Sequence, residues 1–323
     1  MKLVQTAFLL ASLTFTPSLV YAESLAPAGI SVNQPATAWS SVITVQQLKS
    51  SLTDPHVVVI DARKADDYAK GHIPGAINLP GSKLRTPSAK PAESRDAQSI
   101  FLKPDGTPDI AKYERTLSAA GVTRDHRVII YGNHAGTADG SIAALIFHFL
   151  GHEKVQFIDG IGLDQWTAAG FDVTSEPTLR PTATYTAKPI EKFVWSTDDV
   201  LANLDNKDVI FYDTRSQKEY TGEDKRDNAR GGHIPGAVWL DYAAFLNKDK
   251  TTVALPEIKA KLAAAGITPE KKIVLYCQTA TRVSLPLLAL KDLGYKDVVI
   301  YDVSWQDYGN RADTPVVEGT SPR

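Results

Sequence analysis

Ile273-Val274-Leu275-Tyr276-Cys277-Gln278-Thr279-Ala280-Thr281-Arg282, followed by Val283-Ser284-Leu285, is an apolar run that stops at a cysteine, crosses a short polar loop and enters a helix-like segment. A short unbroken apolar run of this kind predicts a strand buried on both faces, as in a parallel sheet. Ligands of such sheets lie beyond the carboxyl ends of the strands, and Cys277 stands at such an end. It is the only cysteine in 323 residues. Backbone N–H groups of the loop and of the first helical turn favour negative charge and make a thiolate accessible. Arg282 adds a cation at the far end of the loop. A lone cysteine can also be a small buried hydrophobe; the polar loop that follows Cys277 favours a reactive thiol.

The pattern around this stretch occurs twice. Val57-Val58-Val59-Ile60-Asp61-Ala62-Arg63 is echoed by Val209-Ile210-Phe211-Tyr212-Asp213-Thr214-Arg215. Gly71-His72-Ile73-Pro74-Gly75-Ala76 recurs as Gly232-His233-Ile234-Pro235-Gly236-Ala237, and Val128-Ile129-Ile130-Tyr131 parallels Ile273-Val274-Leu275-Tyr276. Leu150-Gly151 likewise matches Leu293-Gly294. One module is present in two copies with the same internal order, and Gly132 falls opposite Cys277.

Each copy alternates short β-branched runs with helical patterns at 44–52, 140–150, 197–204, 256–265 and 284–293, which predicts an α/β fold. The expected architecture is two domains, 36–173 and 192–316, each a mostly parallel sheet with helices on both faces. Residues 174–191, with Pro177, Pro181 and Pro189 among threonines, read as a surface linker. Residues 81–112 read as a polar excursion with short helices.

Residues 1–22 have the pattern of a secretory signal peptide: Lys2, an apolar stretch from Ala7 to Val20, and small residues around a cut before Glu23. The apolar stretch is short for a membrane span. Export is expected, to the periplasm in a Gram-negative host, with no membrane association after cleavage. There a single thiol can form no internal bridge. With 43% hydrophobic and 22% charged residues and a net charge of -2, nothing favours nucleic acid or an anionic membrane as partner.

The order Asp-x-Arg, Gly-His-Ile-Pro-Gly-Ala, strand-Tyr-Cys-loop-helix and Leu-Gly-x-x-x-Val resembles the rhodanese family of sulfurtransferases over residues 40 to 315. The duplication, with cysteine in the second copy alone, is similar to the tandem-domain thiosulfate and 3-mercaptopyruvate sulfurtransferases. The resemblance implies a catalytic second domain and a first domain that lacks the nucleophile. It implies that Cys277 takes a sulfur atom as a persulfide and passes it to cyanide or a thiol, with no metal or organic cofactor. Gln278, Thr279, Ala280, Thr281 and Arg282 are then the substrate loop, and Arg215 is either a strand-end ion pair with Asp213 or a second substrate contact. Arg282 inclines the donor reading toward thiosulfate. The loop differs from the family's common versions: Ala280 stands where glycine is usual, and Glu219 where thiosulfate enzymes of the tandem type carry a substrate-binding arginine.

Two other readings remain. A cysteine-loop phosphatase or arsenate reductase usually has five residues between cysteine and arginine, whereas Cys277 and Arg282 enclose four. A non-catalytic persulfide carrier is the other, and an exported thioredoxin-like protein is the partner expected to keep the thiol reduced. His72 and His233 read as turn histidines, because both copies carry them. His148 and His152 have metal-pair spacing without a carboxylate cluster, so a metal site is not expected. His134 in the first copy's loop reads as a surface or interface histidine rather than a substitute nucleophile, and 223–230 reads as a solvated mixed-charge loop. Trp195, Trp239 and Trp305 are expected in the core or an interdomain wall, with Trp239, opposite Asn78, as the candidate for reshaping the cleft.

Overall fold

The computed structural model describes residues 39–85, 99–103, 105–132, 138–160 and 162–323, and the side chains at 138 and 139 are outside that description. The signal-peptide reading of 1–22, the loop 133–137 with His134, and much of the 81–112 excursion lie outside it too.

The first module runs β1 (Val42–Ile43), α1 (Val45–Ser51), β2 (Val57–Asp61), α2 (Ala65–Lys70), β3 (Ile77–Asn78), α3 (Gly81–Leu84), α4 (Ile110–Ala119), β4 (Arg127–Tyr131), α5 (Ala138–Phe149), β5 (Val155–Ile158) and α6 (Leu163–Ala168). The second runs β6 (Val194–Trp195), α7 (Thr197–Ala202), β7 (Val209–Asp213), α8 (Gln217–Thr221), β8 (Val238–Trp239), a 3-10 turn (Tyr242–Phe245), α9 (Leu255–Ala264), β9 (Lys272–Tyr276), α10 (Ser284–Asp292), β10 (Val298–Tyr301) and α11 (Ser304–Tyr308). Each module holds a five-stranded, all-parallel sheet, ordered β1-β5-β4-β2-β3 in the first and β6-β10-β9-β7-β8 in the second. Register repeats as well: Asp61 is opposite Tyr131, and Asp213 opposite Tyr276.

The predicted strands form because their residues have apolar partners on both faces. Alternate side chains enter different cores. Val59, Ile129 and Tyr131 face a core private to the first module, and Phe211, Val274 and Tyr276 one private to the second. Val58, Ile60, Ile130, Tyr212, Ile273 and Leu275 belong to a single cluster spanning both modules. The two modules accordingly form one compact unit. Their junction has an internal pseudo-two-fold. Helices α5 and α10 pack together, and the Ser284 hydroxyl donates to the Ser141 hydroxyl at 2.9 Å. Each serine lies nine residues before its module's Leu-Gly pair, so the two are counterparts in the repeat. Asp159 accepts from the Thr252 amide of the other module, and its counterpart Asp302 accepts from the Ile100 amide. Burial raises the pKa of both carboxyls.

The repeated Gly-His-Ile-Pro-Gly-Ala is a turn with a docking histidine. Gly75 and Gly236 have φ of +83° and +82°, the third position of a type II turn after proline, closed by Ala76 and Ala237 amides on the Ile73 and Ile234 carbonyls. His72 and His233 stack on Tyr68 and Tyr220 at 3.6 and 3.7 Å, and their ring nitrogens meet main-chain carbonyls of 176 and 321. They are the turn histidines expected. The segment 174–191 crosses the surface with Leu179 exposed, but Tyr185 is buried and meets His152 Nδ1 at 3.2 Å. This contact anchors the segment to the first module, and the other nitrogen of His152 meets the His126 carbonyl at 2.9 Å. Among the described residues no group of side chains could hold a metal ion, and no helix is long and apolar enough to cross a membrane.

Candidate active site

Strand β9 occupies the middle of the second sheet, and its last four residues are buried. It ends at Cys277, which is itself completely buried. Helix α10 begins seven residues later and is apolar nearly all round, which fixes it inside the molecule. No side chain caps its N-terminus; the Ser284 amide donates to the Thr281 carbonyl at 3.5 Å and Pro286 has no N–H, so in the first turn the Leu285 amide is the donor left over.

The loop between them is stitched to α11. The Cys277 amide donates to Ser304 Oγ at 3.3 Å, the Trp305 amide to the Cys277 carbonyl at 3.0 Å, and the Gln306 amide to the Gln278 carbonyl at 3.0 Å. The Gln278 side chain forms a reciprocal amide pair with Asn228, at 2.9 and 3.2 Å, and Asn310 donates to the same Asn228 oxygen at 3.1 Å. Ala280 is buried with φ +54°, a conformation that an L residue adopts at a cost of about 1–2 kcal/mol. That is the physical reason glycine suits the position. Thr279 and Thr281 are partly exposed on the loop.

Arg282 does not stand free. Its two terminal nitrogens donate to Glu219 Oε2 and Oε1 at 2.7 and 2.8 Å, a bidentate pair in which the carboxylate is 4% exposed. Glu219 is also the third residue of a capping box on α8: its Oε2 accepts from the Ser216 amide and hydroxyl, at 3.2 and 2.9 Å. Arg226 reaches Oε1 from the 223–230 segment at 3.3 Å. Burial alone would raise the Glu219 pKa, but the hydrogen bond and charge of Arg282, with the Ser216 bonds, hold it down at about 2. Burial would lower the Arg282 pKa; the Glu219 hydrogen bond and the charges of Cys277 and Glu219 raise it instead. The Glu219–Arg282 contact was not inferred from the sequence. Ser216-x-x-Glu219 signals a cap, but no spacing rule connects positions 219 and 282.

Arg215, expected in an ion pair or at the cleft, is in the ion pair. It is 1% exposed, grips Asp213 through Nε and Nη2 at 3.0 and 2.6 Å, donates to the Gly232 carbonyl at 2.7 Å and stacks on Trp305 at 4.4 Å. Arg63 makes the same contacts with Asp61 and Gly71 at 3.0, 2.5 and 2.7 Å. A device shared by both modules belongs to the fold. Trp239 Nε1 donates to the Arg215 carbonyl at 2.8 Å, where Asn78 donates to the Arg63 carbonyl at 2.9 Å. Trp305 is core, and Trp195 is partly buried under Lys272. The 223–230 segment is exposed except at Asn228 and Arg230, and through Asn228 and Arg226 it borders the Cys277 loop.

A twice-repeated parallel α/β module with one strand-borne thiol in a looped cradle defines a tandem-domain thiol protein. The rhodanese-like domain model matches residues 44–169 and 196–311, and the chain belongs to the rhodanese family of sulfurtransferases. It is similar to a thiosulfate sulfurtransferase of Azotobacter vinelandii, 31% identical over 85% of this chain and 96% of that one. It is also similar to a sulfur carrier protein of Thermus thermophilus, 29% identical over 86% of this chain and 96% of that one. Among solved structures, an anaerobic ergothioneine biosynthesis enzyme from Chlorobium limicola superimposes with a TM-score of 0.72, at 23% identity over 87% of this chain and 70% of that one; it shares the fold.

Proposed function

We propose that the protein moves a sulfane sulfur from thiosulfate or 3-mercaptopyruvate to cyanide or a thiol through a persulfide on Cys277. The observation that carries this reading is the position of Cys277 at the end of the central strand, in a loop facing the uncapped N-terminus of α10. The Cys277 thiolate attacks the outer sulfur of thiosulfate; a new S–S bond forms, the old one breaks, and sulfite leaves with the electron pair. From 3-mercaptopyruvate the C–S bond breaks instead, and the thiol proton ends on carbon in pyruvate. Cyanide or a thiolate then attacks the outer persulfide sulfur and returns the Cys277 thiolate, so kinetics are ping-pong. The amides from Gln278 to Arg282 and the hydroxyls of Thr279 and Thr281 hold the anionic sulfur. Burial of Cys277 restricts loading to a small donor.

The test is intact mass of the protein after exposure to each donor, beside Cys277→Ser. A reducible gain of one sulfur atom on the native protein alone supports the reading, and no gain from either donor ends it. The likeness to a sulfur carrier protein supports a second reading, in which Cys277 loads but turns over slowly. Steady-state turnover with a small thiol acceptor separates the two. Residues 1–22 are proposed as a secretory leader that delivers the protein to the periplasm of a Gram-negative host, with an exported thioredoxin-like protein keeping Cys277 reduced there; fractionation of expressing cells tests the first point.

A further inference from the structure

A groove of about 380 Å³ opens in the first module, lined by Leu52, Asp54, Val57, Val59 and Gly75 and by the stretch 178–181. The repeat supplies its counterpart: Leu52, Asp54 and Val57 correspond to Leu204, Asn206 and Val209, and Gly75 to Gly236. The turn is the same in both copies. The Asp54 carboxylate accepts from the His56 amide at 2.8 Å, and the Asn206 side chain from the Asp208 amide at 3.0 Å. In the second module this surface is occupied by Pro322 and Arg323. The Gly236 amide donates to the Pro322 carbonyl at 2.6 Å, and Arg323 donates to the Leu204 carbonyl and to Asp205 at 2.6 and 3.0 Å. Its guanidinium lies so close over Gly236 that a Cβ there would meet Nε at 3.2 Å.

The chain runs along both modules in the same way before the paths part. Thr174 bridges to His72 as Val317 does to His233. Beyond Pro177 the first copy has to continue to the second module, and it turns away. The Thr178 amide goes to the Tyr68 hydroxyl at 3.0 Å, and the Ala183 amide to the Ser118 carbonyl at 2.9 Å. A Cβ on Gly75 would meet nothing within 4 Å. The Gly75 amide and the Leu52 carbonyl, counterparts of the groups that hold Pro322 and Arg323, have no hydrogen-bond partner among the described residues. The half-buried Asp54 places a carboxylate one position beyond Thr53, the counterpart of Asp205. Leu179, 91% exposed, is part of the lining, and Arg180 directs Nη2 at His126 Nε2, 3.4 Å away.

We propose that this groove docks a partner protein through an extended stretch in which proline precedes arginine, seated as Pro322 and Arg323 are in the second module. The proline carbonyl takes the Gly75 amide, and the arginine donates to the Leu52 carbonyl and the Asp54 carboxylate. Leu179 gives the stretch an apolar rim. The site lies in the module without the thiol and does not depend on the sulfurtransferase reading.

The experiment is fluorescence anisotropy of a labelled, C-terminally amidated Gly-Thr-Ser-Pro-Arg peptide, the sequence of 319–323, titrated with the whole protein. Saturable binding is expected below about 1 mM, and a peptide with glutamine in place of arginine binds more than about tenfold more weakly. Asp54→Asn keeps the turn, as Asn206 does in the second module, and weakens binding by about fivefold. Adding Thr53→Asp, which puts a carboxylate where the second module has Asp205, restores it. Asp205→Asn leaves peptide binding unchanged. The proposal is overturned by an absence of saturable binding, or by binding indifferent to the peptide's arginine or to Asp54→Asn. A fall in Asp205→Asn alone overturns it too, by placing the peptide on the second module. So does a dimer of the native protein that Asp54→Asn dissolves, because a second copy is then the occupant.

Discussion

The two modules carry the same buried clamp and put different residues next to it. In the first, Asp67 stands four residues after Arg63, 39% exposed, and pairs with Lys70 at 3.1 Å on the surface of α2. In the second, Glu219 stands four residues after Arg215, buried, and takes the fork of Arg282. One extra methylene and an inward direction convert a solvated ion pair into part of a thiol loop. Pairs of the first kind contribute about 0–1 kcal/mol, whereas breaking a buried pair costs about 3–5 kcal/mol. Likeness between the modules therefore marks what the fold requires, and difference marks what the Cys277 loop requires.

The sharpest way to break this contrast is to move the nucleophile. Cys277→Ser is expected to lower sulfur transfer by about a thousandfold or more, and adding Gly132→Cys to that variant restores nothing. The first module's connection from Gly132 to Ser141 is two residues longer than the one from Cys277 to Ser284. Sulfur appearing on the transplanted cysteine by intact mass would show that the strand end suffices without the loop. Next come the twin clamps. Asp61→Asn and Asp213→Asn each leave a buried guanidinium without its counter-charge, and each is expected to cost about 3–5 kcal/mol in denaturant unfolding. Lost sulfur transfer in Asp213→Asn without that loss of stability would return Arg215 to the list of substrate contacts.

A pH series separates the diverged pair. The folded Glu219 carboxyl titrates at about 2 against an ordinary 4.5. A depressed carboxyl stabilises the fold above its unfolded value, so the advantage of the native protein over Glu219→Gln is full above about pH 5. It shrinks as pH falls from 4.5 toward 2. Asp67→Asn, acting on an exposed pair, shifts melting little throughout. A pH-independent gap for Glu219→Gln would mean that shape, not charge, is what Glu219 supplies. The smallest effect belongs to Tyr212, whose hydroxyl is buried with no partner among the described residues, where the first module has Ile60. Tyr212→Phe is expected to raise stability by up to about 1 kcal/mol, and a fall would reveal a bond to that hydroxyl.

The fold was legible because its signals are local and repeated. Buried parallel strands read as continuous β-branched runs, and the Pro-Gly turns and Leu-Gly helix ends recur in register. The strand end carrying Cys277 was legible for the same reason, and Ala280 was visible as a departure from glycine before its φ of +54° gave the cause. The engagements of side chains were not legible. Glu219 and Arg282 meet across 63 positions, and Asn228 and Gln278 across 50, and no period connects positions so far apart. Tyr185 is a buried anchor inside a segment whose prolines and threonines describe a linker. Composition says where a chain leaves regular structure, but it does not say where one aromatic ring docks.

The serines that meet at the junction have a consequence for how such a chain comes to exist. A residue touching its own counterpart across a two-fold is the contact made by a homodimer of identical subunits. A single-module ancestor could therefore have paired through this helix, and fusion would have preserved the pairing. Once both halves share a chain, each sees its mate at an effective concentration of about millimolar, whatever the expression level. One copy can then lose its thiol and diverge while the other keeps the partner surface it folds against.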